Sequence, residues 1–271
     1  FSMVINQSKG GMVYSESDLL PGLIIDRYDN VFSIQINSIG MEKLLPQITE
    51  ILIENFSPEC IIEKNESPLR SLEGLDLKSS VLFGEYKPKE IIIDDIKYNI
   101  DLLSGQKSGF FLDQRINRVN IRKYVKDLKV LDCFCNEGGF ALNAAFAGAK
   151  EVFGIDISKT AIEKCKINSV NNGCEKLCQF KIGDIFDSLQ KLIDEKNYFD
   201  VVIIDPPSFT KSKKNVPTAK QAYKKVNCLG LQLIKDEGYL ITSSCSHHID
   251  ENTFLNIIDE SAIKAKSHIK L

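Results

Sequence analysis

The chain has 271 residues, with 34 Lys and Arg against 37 Asp and Glu, and a formal net charge of −3. Hydrophobic residues make up 43% and charged residues 26% of it, a composition typical of a folded globular protein, which excludes a low-complexity or disordered chain. No run of about 18 apolar residues predicts a membrane span. We therefore expect a cytoplasmic protein with one large or two modest domains.

Residues 1–103 predict a small α+β domain. The strand-like runs 23–26 and 31–37 flank an Asp-Asn turn and predict a hairpin. Apolar residues in 42–55 follow the period of an amphipathic helix. Three further strands are expected at residues 60–63, 80–84 and 91–100.

Residues 104–271 alternate helices and strands with short connections, which predicts a doubly wound, Rossmann-like α/β domain with a parallel sheet. Residues 201–204 are apolar without a break, as expected of a central strand that is covered on both faces. Residues 267–271 look like the start of a strand after a helix, so we expect this domain to lack its last strand. The five strands of the sheet are placed at residues 129–134, 151–155, 178–182, 200–204 and 239–243.

The sequence contains eight cysteines, and their spacing does not predict a metal site. The two close pairs, at positions 133 and 135 and at positions 174 and 178, lack a second pair or a His partner suited to zinc. A chain of this length can bury a full hydrophobic core without disulfides, so we expect reduced thiols.

Ligands of open α/β sheets bind beyond the carboxyl ends of the strands, so residues at the strand ends are the candidates for a cofactor site. The first strand ends at Asp132 and Phe134, followed by Asn136, Gly138 and Gly139. The glycines allow close approach of the backbone, and the helix N-terminus that follows favours anionic groups. A simple tight turn would have the same glycines.

The next two strand ends each carry an acid followed by an isoleucine. Asp156, before Ile157, is spaced to accept from ribose hydroxyls. Asp184 could accept from an adenine amino group while Ile185 packs against the ring. Either acid could instead be a helix N-cap, although Ser158 could serve that purpose in place of Asp156.

The fourth strand ends in Asp205-Pro206-Pro207, a rigid turn that directs groups into the crevice. Enzymes that bind NAD share the glycine-rich loop after the first strand and the acid at the end of the second, but they lack the Asp-Pro-Pro turn. The four ends together are typical of a methyltransferase that binds S-adenosylmethionine, and we assign Asp205 and Pro206 to its site.

The fifth strand is followed by Cys245, with Ser and His residues on both sides. A cysteine there could be a small buried apolar residue, but its polar neighbours favour an exposed thiol that acts as a nucleophile. A thiolate is needed when the methyl acceptor is C5 of a pyrimidine, since addition at C6 makes C5 nucleophilic. Asp205 would hydrogen-bond the cytosine, and His247 or a water would remove the C5 proton.

Basic residues are concentrated in residues 211–225, which contain six Lys and no acid. Taken alone, this segment is better explained as a solvated helix face. The resemblance to a family given next favours an RNA-contacting surface instead, formed by Lys211, Lys213, Lys214 and Lys224.

Several segments resemble the RlmI-like bacterial 23S rRNA (cytosine-C5) methyltransferases, which are class I enzymes that depend on S-adenosylmethionine. They are residues 105–115 (GQKSGFFLDQR), residues 205–209 (DPPSF) with the following lysines, and residues 243–248 (SSCSHH). Residues 16–28 resemble the central domain of that family, which assigns the small domain to the RNA side.

The resemblance implies that Phe110 and Arg115 help to hold the cofactor, that Cys245 is the nucleophile and that 23S rRNA is the partner. It also implies an upstream PUA domain, which is absent from this sequence, and we add a homodimer as an expectation. The chain departs from the family pattern at Asn136 and Glu137, where relatives often carry uncharged Tyr-Thr. Glu137 could pair with the ammonium of the cofactor or repel its carboxylate.

Two alternatives remain open at this point. The acceptor could be a guanine amine or ring nitrogen, which needs no covalent adduct. The chain could also be a non-catalytic RNA-binding assembly factor, an alternative suggested by Glu137.

Overall fold

A computed structural model describes residues 9–103, 114–210, 212–246 and 248–270. The chain forms two compact units, Phe1–Arg115 and Ile116–Leu271. The division falls later than the boundary predicted after Leu103. Arg115, the last residue of the first unit, makes a forked ion pair with Asp94 of the same unit, at 2.8 Å from Nε and 2.6 Å from Nη2.

The first unit contains a five-stranded sheet in the order β1-β2-β3-β4-β5, in which only β3 and β4 are parallel neighbours. Its core is formed by β2, β3 and β4 with Leu45 and Leu52 of the long helix α1. The strands are β1 (Lys9–Tyr14), β2 (Leu23–Tyr28), β3 (Val31–Ile36), β4 (Cys60–Asn65) and β5 (Lys78–Gly84), and the helices are α1 (Ile39–Phe56) and α2 (Leu69–Leu72).

A separate hairpin completes the first unit, and here the prediction of a single strand over residues 91–100 was wrong. The segment forms β6 (Lys89–Ile93) and β7 (Ile96–Ile100), which pair antiparallel. Asp94 and Asp95 connect them at φ 49° and 71°. Two successive residues with positive φ form the tight turn that joins hairpin strands, and Asp tolerates that conformation better than most residues.

The second unit is the expected doubly wound domain, a parallel sheet in the order β10-β9-β8-β11-β12. Its strands are β8 (Lys129–Cys133), β9 (Glu151–Asp156), β10 (Cys178–Ile182), β11 (Phe199–Ile204) and β12 (Ile234–Thr242). Its helices are α3 (Arg115–Asn120, the first residue of which lies in the other unit), α4 (Gly139–Phe146), α5 (Lys159–Asn171), α6 (Ile185–Asp194), α7 (Val216–Leu233) and α8 (Glu251–Ala265).

The predicted helix over residues 112–124 is shorter and less regular than expected. Its first residues lie outside the described part, α3 ends at Asn120, and a 3-10 turn continues over Ile121–Tyr124.

Burial on both faces of β11 agrees with its uninterrupted apolar run. On one face, Val202 and Ile204 belong to the same cluster as Leu189 of α6 and Val226 of α7. On the other face, Val201 and Ile203 are also buried. This strand is an inner strand of the sheet, between β8 and β12, and burial on both sides fixes its carboxyl end.

Candidate active site

The strand order of the second sheet indicates a ligand site at the carboxyl ends of its strands. The chain proceeds outward from β8 to β9 and β10 and then crosses back to β11 on the other side of β8. The carboxyl ends of β8 and β11 therefore flank the point at which the winding reverses, where open α/β sheets bind their ligands.

The loop after β8 is held in an unusual backbone conformation. Phe134, Asn136 and Gly138 have φ values of 61°, 46° and 85°, all in the left-handed region. The backbone amide of Asn136 donates to Oδ2 of Asp156 at 2.9 Å. The loop is therefore more than a simple tight turn, because it is bonded to the end of the neighbouring strand.

Gly139 is required by a close contact rather than by its φ angle. A Cβ atom at this position would lie 2.5 Å from Nε of Arg118, which is itself buried. The guanidinium of Arg118 therefore packs directly against the first turn of α4.

Asp132 lies fully buried at the end of β8. Its Oδ2 accepts from the backbone amide of Ala141 at 2.9 Å, whereas Oδ1 has no hydrogen-bond partner among the described residues. Burial, reinforced by the negative charges of Asp205 and Asp156, raises the pKa of Asp132 to about 8. The nearby Arg118 opposes this shift.

Asp156 does not cap the helix that follows it. Ser158 performs that function, because its hydroxyl accepts from the amide of Ala161 at 3.2 Å. Asp156 instead accepts from Asn136 and, through Oδ1, from the amide of Ser158 at 2.9 Å. The adjacent Ile157 is 73% exposed, so an apolar surface lies beside this carboxylate.

The end of β10 differs from the expected arrangement. Asp184 is the N-cap of α6, with Oδ1 accepting from the amides of Phe186 and Asp187 at 2.9 Å and 3.2 Å. Ile185 is 5% exposed and packs in the core. A ligand contact through Asp184 stays a prediction, and the packing of Ile185 is accounted for by the core.

The loops after β11 and β12 are joined by side chains. The hydroxyl of Ser243 donates to Oδ1 of Asp205 at 2.5 Å, and the thiol of Cys245 donates to the carbonyl oxygen of Pro206 at 3.5 Å. Cys245 is exposed, whereas the other seven cysteines are buried. The structure therefore brings Cys245, Asp205 and Pro206 together.

A chain of hydrogen-bonded hydroxyl groups connects the loops after β11 and β12 to α7. Ser246 lies 3.0 Å from Ser208 and 2.9 Å from the phenol oxygen of Tyr223, measured between oxygens. Tyr223 is fully buried on α7 and packs edge-on against Phe209 at 4.6 Å between ring centroids. The sequence analysis missed Tyr223, Ser243 and Ser246, since nothing in their local sequence shows that they meet the loop after β11.

Glu137, the departure from the family pattern, has a partner in the structure. Its Oε1 lies 2.5 Å from Nζ of Lys164 on α5. The sequence analysis also missed this lysine, which lies mid-helix among other polar residues.

The remaining predicted site residues lie elsewhere or outside the described part. Arg115 is paired with Asp94 in the first unit, and Lys224 is paired with Glu260 at 2.8 Å between α7 and α8. Lys214 is exposed, and Lys213 begins a 3-10 turn. Phe110, Lys211 and His247 lie outside the described residues.

Among the described residues, no group of three or more His, Cys, Asp or Glu side chains could hold a metal ion. No described helix is long and apolar enough to cross a membrane.

The sheet order and the residues at the ends of its strands define a class I methyltransferase fold. The profile of the family described as "Methyltransferase domain" matches residues 125–269, which is more than half of the chain, and the chain belongs to that family.

Curated relatives extend the likeness to nearly the whole chain. Proteins named Ribosomal RNA large subunit methyltransferase I from Vibrio parahaemolyticus and Vibrio vulnificus are each 40% identical to it over 265 residues. These matches cover 96% of this chain and 66% of each relative, so the chain spans about two thirds of their length.

Solved structures share the fold. A SAM-dependent methyltransferase from Streptococcus mutans and a methyltransferase complexed with SAH each give a TM-score of 0.80 at 23% identity. Both matches cover 94% of this chain, and they cover 65% and 66% of those chains. A SAM-dependent methyltransferase from Agrobacterium tumefaciens gives a TM-score of 0.67 at 16% identity, over 89% of this chain and 75% of that one.

Proposed function

We propose that the protein is an S-adenosylmethionine-dependent methyltransferase that forms 5-methylcytosine in 23S rRNA through a covalent adduct with Cys245. One observation carries this proposal. The only exposed thiol among the eight cysteines stands at the carboxyl end of β12, against the carbonyl of Pro206 and beside Asp205. The names of the curated relatives support ribosomal RNA as the substrate.

The residues present fit S-adenosylmethionine. The buried Oδ1 of Asp132, which has no hydrogen-bond partner among the described residues, leaves a polar atom at the end of β8 that a ligand group could satisfy. The glycine-rich loop leads into the N-terminus of α4, where backbone amides favour an anionic group. Asp156 would take the ribose, Asp184 the adenine, and Pro206 would line the site. When bound, the cofactor supplies an electrophilic methyl group.

The chemistry of the acceptor explains why a thiol is needed. C5 of cytosine is not nucleophilic, whereas the amines and oxygens of RNA bases can attack a methyl group directly. Addition of the Cys245 thiolate to C6 forms a C–S bond and moves electron density to C5, which can then be methylated. Loss of the C5 proton restores the double bond and expels the thiolate.

Burial separates Cys245 from Cys133 and Cys228 in reactivity. Burial raises the pKa of Cys133 well above its usual range and also raises that of Cys228. Such thiols carry little thiolate at neutral pH and are inert. An exposed cysteine at a strand end has no such desolvation cost.

Asp205 is placed to hold the base during addition. Ser243 fixes one of its oxygens, so the carboxyl group keeps one orientation beside Cys245. A protonated Asp205 would donate to N3 of cytosine, and its ionised form would accept from the exocyclic amine. The contact to N3 stabilises the negative charge that develops on the ring as sulfur adds, whereas the contact to the amine orients the base.

RNA would approach over the basic segment that follows Asp205. Lys214 is exposed there, and we keep Lys211 and Lys213 in the assignment. Lys224 is already paired with Glu260, so its contribution would require that pair to open. Replacement of Lys211, Lys213 and Lys214 by Gln should lower the salt dependence of RNA binding and leave cofactor binding intact. An unchanged salt slope would remove this surface from the proposal.

The two remaining features of this proposal are a homodimer and a cytoplasmic location, where rRNA is accessible. Light scattering at several protein concentrations measures the first. A monomer throughout would exclude it.

Covalent trapping tests the proposed reaction directly. The protein is incubated with S-adenosylmethionine and a 23S rRNA fragment that carries 5-fluorocytosine, which has no C5 proton to lose after methylation. We expect a complex that survives denaturation and maps to Cys245 by mass spectrometry. Cys245→Ala should form none, whereas Cys228→Ala should still form it, because that thiol is buried on α7.

The outcomes separate the alternatives. An enzyme that transfers methyl groups to RNA but is never trapped is not a C5 methyltransferase. If Cys245→Ala also keeps its activity, a guanine nitrogen becomes the acceptor. No transfer from labelled cofactor to any ribosomal RNA would favour the non-catalytic assembly factor.

A further inference from the structure

The glycine-rich loop places an acidic residue where a methyltransferase of this kind should bind an anion. Glu137 immediately precedes Gly138, the N-cap of α4. The N-terminus of a helix favours negatively charged ligand groups because its first backbone amides lack partners and its dipole is positive there. A carboxylate in the same loop would weaken that preference.

The structure shows how the charge of Glu137 is balanced. Nζ of Lys164 lies 2.5 Å from Oε1 of Glu137, and the two side chains are only 21% and 11% exposed. From the same helix α5, Nδ2 of Asn168 donates to the carbonyl oxygen of Glu137 at 3.2 Å. Both the side chain and the backbone of Glu137 are therefore held by α5.

The contacts of α5 extend over the rest of the loop. The thiol of Cys165 donates to the carbonyl oxygen of Asn136 at 2.8 Å, one residue before Glu137. Cys165 directly follows Lys164 on α5 and supplies a second contact to the backbone of the loop. Of the three α5 residues that make these contacts with the loop, only Lys164 is positively charged.

We propose that Lys164 is a positioning residue for the cofactor, because it neutralises Glu137 and so keeps the glycine-rich loop receptive to an anionic ligand group. The proposal rests on the assignment of S-adenosylmethionine to this site. Glu137 in the loop and Lys164 on α5 act together as a pair. Neither residue is required to touch the reacting atoms.

Loss of Lys164 should weaken the binding of ligands that carry a carboxylate more than the binding of ligands that lack one. Removal of Lys164 leaves a mostly buried carboxylate without this cation, which repels other negative charges at short range. S-adenosylhomocysteine carries a carboxylate, whereas 5′-methylthioadenosine has the same nucleoside and lacks the amino-acid part. A loss that arises from charge should therefore fall on the first ligand and spare the second.

Isothermal titration calorimetry on the full chain at low salt measures this difference. Lys164→Met should weaken S-adenosylhomocysteine binding by about ten-fold and 5′-methylthioadenosine binding by less than about two-fold. Glu137→Gln should bind S-adenosylhomocysteine at least as tightly as the wild type, since Lys164 then remains as a cation. The double variant should return to within about three-fold of the wild type.

A matched control separates charge at this site from loss of any lysine. Lys191 on α6 pairs with Glu195 at the surface, with 61% and 52% of the two side chains exposed. Lys191→Met removes the same groups and should leave the affinity for both ligands unchanged. Thermal unfolding of each ligand-free variant shows whether the fold is intact.

Three results would overturn the proposal. Equal losses for both ligands in Lys164→Met would mean that the lysine supports the loop only structurally. Tighter binding of S-adenosylhomocysteine would mean that Glu137 attracts the ammonium group instead. A wild-type protein that binds neither ligand would remove the cofactor assignment itself, and the inference with it.

Discussion

The two sides of the crevice are built in different ways. One side comprises the ends of β8 and β9, and we call it the cofactor side after its proposed ligand. It is held by backbone amides that donate to buried or half-buried carboxylates, as in Asn136 to Asp156 and Ala141 to Asp132. The other side comprises the ends of β11 and β12, and we call it the acceptor side after the proposed methyl acceptor. It is held by side-chain hydroxyls and a thiol, as in Ser243 to Asp205.

This difference indicates a division of labour. Only substitution by proline removes a backbone amide, so the cofactor side depends on loop geometry and on a few acids. The acceptor side depends on individual side chains, each of which can be deleted without changing the loop that binds the cofactor. Variants of the two sides should therefore separate cofactor affinity from turnover.

The largest effect is expected at Cys245. Cys245→Ala should lower methyl transfer to RNA by about a thousand-fold or more, because no adduct can form, and should leave the dissociation constant of S-adenosylmethionine within about two-fold of the wild type. Single-turnover kinetics and calorimetry measure the two quantities. A matching loss of cofactor affinity would show that the two sides are not separable.

The reverse pattern is expected at Asp156. Asp156→Ala should weaken S-adenosylmethionine binding by about a hundred-fold, since it removes the proposed ribose acceptor and the bond from Asn136. At saturating cofactor much of the turnover should return. If turnover falls as far as in Cys245→Ala at every cofactor concentration, Asp156 also acts in the reaction itself.

A smaller effect is expected at Tyr223, below the acceptor side. Tyr223→Phe removes the hydroxyl that contacts Ser246 and keeps the ring that packs against Phe209. We expect turnover to fall by about ten-fold, because the segment that carries Cys245 loses one support, with no change in cofactor affinity. Tyr198→Phe, at a 42% exposed tyrosine, is the control. Equal turnover in both variants would remove Tyr223 from the support of the nucleophile.

The smallest effect is expected at Asp132, the pKa of which is raised by the charges of Asp156 on one side and Asp205 on the other. Since its pKa is raised to about 8 from a usual value of 3.8, the folded protein keeps a proton that the unfolded chain has already released. The free energy of unfolding should therefore fall between about pH 5 and pH 8, by about 1 kcal/mol per pH unit. Asp132→Asn cannot release a proton and should flatten this decline.

Urea unfolding at pH 6.0 and 7.5 checks that slope in both proteins. An identical slope would mean that Asp132 is ionised in the folded state.

Much of the fold could be predicted from the sequence because its signals are local. The apolar run of β11 and the capping serine of α5 each lie within a few residues of the element that they define. The hairpin of β6 and β7 was missed because Asp94 and Asp95 interrupt an otherwise continuous strand pattern without any glycine or proline. The Asp-Asp pair is a turn signal of the same kind as the Asp-Asn turn between β2 and β3, but the isoleucines on both sides of it continue the strand pattern.

The candidate site was predictable to the extent that it consists of strand ends. Asp132, Asp156, Asp205 and Cys245 each lie at or just after the carboxyl end of a strand, so knowledge of the sheet was enough to bring them to one end of it. Tyr223 and Lys164 lie within helices, and only the packing of those helices shows which loops they contact. The role of Arg115 implied by the family resemblance stays a prediction, since its side chain is occupied by Asp94.

The hydrogen bonds of the two sides also differ in how far apart their partners lie along the chain. The bonds of the cofactor side join residues 9 and 20 positions apart, whereas those of the acceptor side join residues 38 and 39 positions apart. All residues of the first set precede β12 along the chain, whereas the second set needs the segment that follows β12. During synthesis from the N-terminus, the proposed nucleophile is therefore the last of these residues to become available.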